Sequence, residues 1–186
     1  MSRRTAVSDW LAQSHDQPRQ AHAEWAERGI AVLPTGGVFG AVRIPESLVR
    51  AAVESADNDH VGYVLADRLN GPVIHDGRGR NYYALLRPED RLAWDTTAPG
   101  VEYLPPRTHL GVPAAGLCEY TTVTPVYWAV PVIRPSYCDL ASLALLVRIG
   151  AARLAEARPG AAAAAALVGR TGMPPLTADQ ADGHPR

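Results

Sequence analysis

The chain contains no lysine, and all eighteen of its basic residues are arginine. Since nineteen acidic residues balance them, the net charge is -1, and the protein lacks the overall positive field that attracts nucleic acid. A phosphate contact would therefore need a local patch of arginine, whose planar guanidinium suits phosphate and carboxylate oxygens. Ala, Gly and Pro are also abundant, which indicates GC-rich coding, so a single arginine carries less functional information than usual.

Cysteines and long apolar runs are scarce as well. Cys118 and Cys138 are the only two cysteines, and they lie too far apart in sequence to resemble a metal-ligand pair. No apolar run reaches the roughly 18 residues that span a bilayer, and residues 1–7 are too short and polar for a secretory signal. We therefore expect a cytoplasmic protein with two reduced thiols and no membrane partner.

Several catalytic signatures are missing from the sequence. It has no Gly-x-Ser-x-Gly elbow, Walker loop, Rossmann fingerprint or His-Glu-x-x-His pair, so hydrolase, kinase and dehydrogenase functions lack a starting point. A length of 186 residues suits one domain with a real core. We expect a flexible N-terminus over residues 1–7, a single domain over residues 8–156, and an Ala-rich extension and disordered tail over residues 157–186, with residues 172–186 mobile.

The hydrophobic pattern predicts an α+β fold with a mostly antiparallel sheet and flanking helices, because strands follow one another in hairpins rather than in βαβ alternation. We expect helices over residues 8–28 (split at Pro18), from Pro45, over residues 60–69 and over residues 139–156, the last ended by Pro159-Gly160. We expect strands over residues 30–34, 38–44, 72–74, 80–86, 101–104, 108–112 and 126–130.

The clearest hairpin signal is the turn between the strands at residues 72–74 and 80–86. Its glycines let backbone N–H groups approach an anion, and Arg78 and Arg80 can grip a phosphate. The alternative is a plain turn whose glycines serve positive φ. Tyr82 and Tyr83 point to opposite faces of the following strand, and an exposed tyrosine there would stack a base.

Asp57, Asp59 and His60 form a polar group between two expected helices. Carboxylates at this position cap a helix and complement its dipole. The same three side chains could instead hold a metal ion, and we favour the capping interpretation.

Three stretches together resemble the N-terminal module of bifunctional DNA primase/polymerases, in the archaeo-eukaryotic primase superfamily. They are WAERGIAVLP at residues 25–34, GRGRNYYAL at residues 77–85, and the strand segments GVEYL, LGVP and YW at residues 100–104, 110–113 and 127–128. The resemblance covers residues 25–150 and extends to small actinobacterial proteins related to that module. It implies a primase/polymerase-like fold and a nucleotide or single-stranded nucleic acid as partner.

The chain departs from that family at the catalytic motifs. The enzymes hold divalent metal with an Asp-x-Asp pair on a strand, followed by a His and a third acid. Here the nearest match to the Asp-x-Asp pattern is Asp57-x-Asp59, which lies in a turn. Asn81 stands where the His would be, and an amide cannot replace imidazole in acid–base catalysis. Only Glu102 matches the third acid, and one carboxylate does not make a two-metal site.

Our leading hypothesis is therefore a non-catalytic, primase/polymerase-like domain that serves as a binding or regulatory module without a cofactor. Its expected binding residues are Arg78, Arg80, Tyr82, Tyr83 and Arg107. One alternative is an active nucleotidyl transferase that holds Mg or Mn through relocated ligands, namely Asp57, Asp59, Asp76 and Glu102. Another is a protein-interaction domain without a nucleic-acid role.

The positions of four arginines separate these hypotheses. If they share one face with an exposed tyrosine, nucleic acid is favoured, and if they scatter, a protein partner is favoured. The four are Arg78, Arg80, Arg87 and Arg107.

Overall fold

The structure is a computed structural model that describes residues 3–168, with side chains for residues 4–157. It contains five α-helices and a short 3₁₀ helix over Pro88–Leu92. The α-helices are α1 (Arg3–Ala12), α2 (Pro18–Arg28), α3 (Glu46–Val53), α4 (Asn58–Leu69) and α5 (Leu140–Val168). No helix among the described residues has the length and hydrophobicity that crossing a membrane requires.

Over residues 3–168, seven strands form two sheets, and every strand pair is antiparallel. The strands are β1 (Ile30–Pro34), β2 (Gly40–Pro45), β3 (Val73–Asp76), β4 (Asn81–Leu86), β5 (Glu102–Tyr103), β6 (His109–Pro113) and β7 (Val126–Val130). The larger sheet has the order β5-β2-β4-β3-β7, and β1 pairs with β6 in the smaller one. The predicted α+β class with a mostly antiparallel sheet is confirmed.

The five-stranded sheet is buried on both faces. Leu85 and Trp128 belong to a core shared with α1, α2 and the β1–β6 pair. Ala84 and Val130 belong to a second core shared with α3, α4 and the N-terminal part of α5. Neighbouring residues of β4 reach opposite cores because side chains alternate along a strand, and an irregularity in the β3–β7 pairing puts Trp128 and Val130 on opposite faces. We call the face of this sheet that α3, α4 and α5 cover the helical face.

The ends of the chain differ from the sequence-based expectation. α1 begins at Arg3 rather than Ser8, and Val7 is fully buried. Val7 and Leu11 lie one turn apart on α1, so both reach the same core. The expected split at Pro18 is confirmed, since α1 ends at Ala12 and Pro18 begins α2 at a position where its missing N–H costs nothing.

α5 continues to Val168, past the Pro159-Gly160 pair that we expected to end it. The alanines that follow have the highest helix propensity. The chain divides into a unit of Met1–Leu154 and a unit of Ala155–Arg186, and the second unit is helical over its described residues. The expected mobile tail at residues 172–186 lies outside the described residues.

α4 is bounded as its sequence predicts. The Asp57 carboxylate accepts a hydrogen bond from the His60 backbone N–H at 2.7 Å and so caps the helix. Asn70 ends the helix in the left-handed conformation, with a φ of 49°. The Asp57 cap fixes the start of α4, and the helix packs against β7.

Candidate functional site

Glu46 occupies the first turn of α3, directly after β2, and is buried. One carboxylate oxygen accepts a hydrogen bond from Nη2 of Arg50 at 2.6 Å, and the other accepts from Nε of Arg80 at 3.1 Å. Arg50 is one turn further along the same helix, so the two side chains meet at the i,i+4 spacing. The two guanidinium groups compensate the charge of a carboxylate that would be costly to bury alone.

His75 on β3 lies next to this carboxylate. Its ring stacks on Tyr82 with centroids 4.1 Å apart, and its Nδ1 lies 3.0 Å from the hydroxyl of Tyr127. Its Nε2 lies 3.3 Å from Glu46 Oε1, outside hydrogen-bond geometry. The strand register explains the arrangement, since His75 is paired with Tyr82 on β4 and with Tyr127 on β7, and paired residues project to the same face.

We refer to Glu46, Arg50, His75, Tyr82 and Tyr127 as the Glu46 network. Burial lowers the pKa of His75 below its ordinary value, although the Glu46 carboxylate acts in the opposite direction. Burial, together with the carboxylates of Asp59 and Glu46, raises the pKa of Tyr127 to about 12. At neutral pH the imidazole is therefore uncharged and the phenol protonated.

The positions of the protons in this network follow from the neighbours of each atom. An uncharged imidazole carries one N–H, and the negative oxygen beside Nε2 favours the proton there. Nδ1 is then an acceptor, so the Tyr127 hydroxyl donates to it. The oxygen of Tyr127 keeps its own accepting capacity.

The network is not fully satisfied by hydrogen bonds. In the described part of the chain, the buried side-chain atoms without a hydrogen-bond partner are Arg50 Nε, His75 Nε2 and the Tyr82 hydroxyl oxygen. All three belong to the Glu46 network. Such atoms are rare in folded proteins because each one loses its hydration without replacement, and their concentration at one place is typical of a functional site.

A cleft of about 510 Å³ lies above the Glu46 network. It is formed by the start of α4, the loop before β7 and Tyr127 of β7. Asn58 and Tyr127 connect the cleft to the Glu46 network, since both line the cleft. Asn58 accepts a hydrogen bond from Arg50 Nη2 at 3.2 Å, and Tyr127 contacts His75. The polar lining residues are Asp57, Asn58, Asp59, Glu119, Tyr120 and Tyr127. We call this feature the α4 cleft.

Tyr120 forms one wall of the α4 cleft. Its ring packs edge-on against Tyr127, with centroids 6.1 Å apart. It also lies over Gly77 in the β3–β4 turn, where an added Cβ would approach the ring to 2.9 Å. The lack of a side chain at Gly77 thus allows the loop to approach the turn, which brings the predicted turn beside the cleft.

The turn itself is not arranged for phosphate as we expected. The Asp76 carboxylate accepts hydrogen bonds from the backbone N–H groups of Arg78 and Gly79 at 3.1 and 2.8 Å. Those amides were the expected anion donors, and the protein's own carboxylate uses them. Arg80, the second expected phosphate ligand, donates instead to Glu46.

The other expected binding residues lie elsewhere. Tyr82 is buried in the Glu46 network, and Tyr83 is half-buried against the opposite core, so neither offers a free face to a base. Arg87 follows the far end of β4, about 20 Å from Arg80 by strand length. Arg107 adjoins the β1–β6 pair, where its backbone N–H donates to the Thr35 carbonyl at 2.8 Å. The four arginines therefore scatter.

The four carboxylates of the relocated-ligand hypothesis do not come together either. Glu102 is on the edge strand β5 and pairs with Arg43 at 2.9 Å. Arg43 is paired with Tyr83, so Glu102 projects away from the helical face. Asp57 and Asp59 lie at the start of α4, above the helical face. Among the described residues, no three His, Cys, Asp or Glu side chains are grouped so that they could hold a metal ion.

The two cysteines are free and lie apart, Cys118 exposed at the cleft and Cys138 buried. Burial raises the pKa of the Cys138 thiol, which donates to the Pro72 carbonyl at 3.3 Å. The helix that follows therefore does not activate this thiol.

Sequence reasoning did not identify the centre of the site. The sequence analysis gave no functional role to Glu46, Arg50, His75 or Tyr127. Two sequence features could have indicated the site. His75 lies at the end of one apolar strand, and Glu46 directly follows another strand. Comparison of the chain with family models, curated proteins and solved structures found no match.

Proposed function

We propose that this protein is a non-catalytic binding module that holds part of a partner protein in the α4 cleft. The observation that carries the proposal is the position of Tyr127, which is only 5 % exposed, lines the cleft, and is held from below by His75. A buried network that keeps three polar atoms unsatisfied costs stability. We infer that its benefit is a rigid, defined surface in the cleft above it.

The charge distribution favours a protein over a nucleic acid as the partner. The residues lining the α4 cleft include three carboxylates and no basic side chain. The arginines that would follow a phosphate backbone are separated, and the turn amides are used by Asp76. Nucleic-acid binding requires a continuous positive surface, because the phosphate contacts supply most of the affinity.

A second candidate function, catalysis by Tyr127, deserves comparison because Glu46, His75 and Tyr127 have the acid–imidazole–hydroxyl order of a nucleophilic triad. Activation would require Tyr127 to pass its proton to His75. The phenol has a pKa of about 12 and the imidazole pKa lies below its ordinary 6.5. Proton transfer from Tyr127 to His75 would cost at least about 7 kcal/mol. This cost favours a role for Tyr127 as a fixed hydroxyl over a role as a nucleophile.

Descent from the primase/polymerase module remains part of the proposal and is supported by the order of the sequence motifs. The missing Asp-x-Asp strand, together with Glu102 on the other side of the sheet, supports loss of nucleotidyl transfer. The module would then have kept a fold and acquired a different ligand.

The test is a titration of isotope-labelled full-length protein, followed by NMR. The probes are three capped peptide pools, one basic, one neutral and one acidic, and an oligothymidylate. We expect one peptide pool to shift the backbone signals of Asn58, Glu119 and Tyr120. Shifts confined to the turn around Arg78 with the oligothymidylate, or no shift at the cleft with any probe, would contradict the proposal.

A further inference from the structure

Another pocket, of about 450 Å³, lies between two loops at one end of the β1–β6 pair. One loop follows β1 and the other precedes β6. The lining includes Asp16, Gly36, Gly37, Arg107 and His109, and it shares no residue with the lining of the α4 cleft. A pocket of this volume has the size of a small-molecule site. We call it the Arg107 pocket.

The two loops of the Arg107 pocket are held together by hydrogen bonds around Thr35. Its hydroxyl donates to the Pro105 carbonyl at 2.8 Å, and its carbonyl accepts from the Arg107 backbone N–H at 2.8 Å. Its own N–H donates to the Thr108 carbonyl at 2.9 Å. Because Thr35 is buried, these bonds are protected from water. The backbone that carries Arg107 is therefore fixed before a ligand arrives.

Arg107 occupies a turn position that favours a different type of residue. Residues 105–108 form a β-turn, closed by a hydrogen bond from the Thr108 N–H to the Pro105 carbonyl at 3.1 Å. Arg107 is the third residue of this turn and has a φ of 67°. A turn with Pro in second place and positive φ in third place is of type II, in which glycine or asparagine is favoured third. An arginine kept in such a conformation indicates a function for its side chain.

Arg80 is a useful comparison, because it is the other arginine with a positive φ among the described residues. Its φ is 55°, and its guanidinium donates to the buried carboxylate of Glu46. Arg107 has the same backbone conformation, but its guanidinium forms no ion pair with any side chain over residues 4–157. The strained arginine at Glu46 has its anion within the fold, whereas Arg107 is exposed and available to an anion from outside.

Gly36 and Gly37, on the facing loop, differ in what the fold requires of them. Gly36 has a φ of 91°, and an added Cβ would approach Pro106 to 2.8 Å, so the fold itself demands glycine there. Gly37 has no left-handed φ, and an added Cβ would meet no atom within 4 Å. Its N–H donates to no backbone acceptor among the described residues. Glycine at position 37 instead lets a ligand approach the backbone closely, and free N–H groups of this kind bind anions.

Asp16 and His109 restrict the ligand further. Asp16 is exposed on the connection between α1 and α2 and lines the same pocket. Its carboxylate repels a bare anion and accepts hydrogen bonds from hydroxyl groups, while the His109 imidazole offers an N–H donor. The lining therefore fits a molecule that carries an anionic group and also hydroxyl groups.

We infer that the Arg107 pocket binds a small phosphomonoester that carries hydroxyl groups, such as a sugar phosphate. Arg107 would hold two phosphate oxygens with its planar fork, the Gly37 N–H would donate to the third, and Asp16 would accept from a hydroxyl. Phosphate is favoured over carboxylate because it offers three acceptor oxygens to donors on two loops. A nucleic-acid strand is disfavoured because the lining of the pocket holds a single arginine. This function is separate from that of the α4 cleft.

The test is a calorimetric titration of the full-length protein with ribose 5-phosphate. Ribose lacks the phosphate, inorganic phosphate lacks the hydroxyl groups, and gluconate has a carboxylate in place of the phosphate. We expect ribose 5-phosphate to bind at least about ten-fold more tightly than each of these three controls. Equal or tighter binding of any control would overturn the inference, and so would the absence of binding at about 10 mM ribose 5-phosphate.

Arg107→Gly separates a binding role from a structural one. Glycine suits the left-handed position, so the urea midpoint should change little, whereas the affinity for ribose 5-phosphate should fall at least about ten-fold. Arg134→Ala is the matched control, since it removes an exposed charge outside the pocket, and it should change the affinity less than about two-fold. Gly37→Ala should weaken binding by about five-fold without loss of stability. Equal effects of the Arg107 and Arg134 changes on affinity would overturn the inference.

NMR of the labelled protein distinguishes this site from the α4 cleft. Ribose 5-phosphate should shift the backbone signals of Gly37 and Arg107 and leave those of Asn58 and Tyr120 in place. Shifts confined to the α4 cleft would contradict the inference. Failure of the α4 cleft to bind any peptide pool would refute the proposed function alone, because the two sites share no lining residue.

Discussion

Replacement of His75 by glutamine should reduce the pH dependence of stability. His75 is buried among Glu46, Arg50, Asp76, Tyr82 and Tyr127, and burial lowers the pKa of its imidazole below the ordinary 6.5. The folded state therefore binds a proton less readily than the unfolded state. The stabilisation is complete above about pH 6.5, declines as the pH falls through the window between that value and the lower pKa of the folded protein, and is constant below it.

The size of the effect follows from one proton. Within that window the free energy of unfolding should fall by at most about 1.4 kcal/mol per pH unit. At about pH 7.5 the His75→Gln variant should already be less stable by about 2 kcal/mol, because it loses the ring stacked on Tyr82 and the contact with Tyr127. The difference between parent and variant should then shrink as the pH is lowered.

The measurement is urea unfolding followed by tryptophan fluorescence at several values between about pH 5 and pH 7.5, above the range where carboxylates with a lowered pKa begin to titrate. His109→Gln is the matched control, since His109 is exposed on β6. It should follow the parent curve. If the His75→Gln variant keeps the full pH dependence of the parent, the reasoning about a buried, uncharged imidazole is wrong.

Three further predictions concern packing, thiol reactivity and catalysis. Gly150→Ala should lower the free energy of unfolding, measured in urea, by about 1–3 kcal/mol, because an added Cβ would overlap the carbonyl of Leu48 where α5 crosses α3. Gly37→Ala is the control and should be nearly neutral, since nothing lies near its Cβ. A thiol reagent should label Cys118 in the native protein and Cys138 only after unfolding, since Cys138 is buried; labelling of both at the same rate would contradict this arrangement. Primer extension with magnesium or manganese should remain at background, and template-dependent products above background would refute the proposed loss of activity.

Much of the local structure follows from neighbouring residues. The β3–β4 hairpin is where the glycine-rich turn predicts it, and the Asp57 cap begins α4 as the sequence indicates. These features depend on backbone conformation and short-range hydrogen bonds, which nearby residues determine. The start of α1 was missed because burial of Val7 depends on a core contributed by distant strands.

The candidate site was less accessible to sequence reasoning. Arg78 and Arg80 were the expected ligands, and the turn does lie beside the cleft, but Arg80 is bound to Glu46, which is 34 residues away. His75 and Tyr127 are 52 residues apart and meet only because β3 and β7 are neighbours in the sheet. No spacing rule within the chain connects such residues.

The class of the fold, the hairpin, the α4 cap and the lack of a general positive field could all be predicted from the sequence, since they follow from composition, hydrophobic period and local geometry. Which polar groups are buried together, and which residues face the cleft, depends on how the strands and helices assemble. Strand order and register place His75 and Tyr127 on the helical face, where Glu46 of α3 meets them, and Glu102 on the other face. The physical reason is that pKa, charge compensation and hydrogen-bond direction depend on neighbours in space, which the chain brings together only when the sheet is assembled.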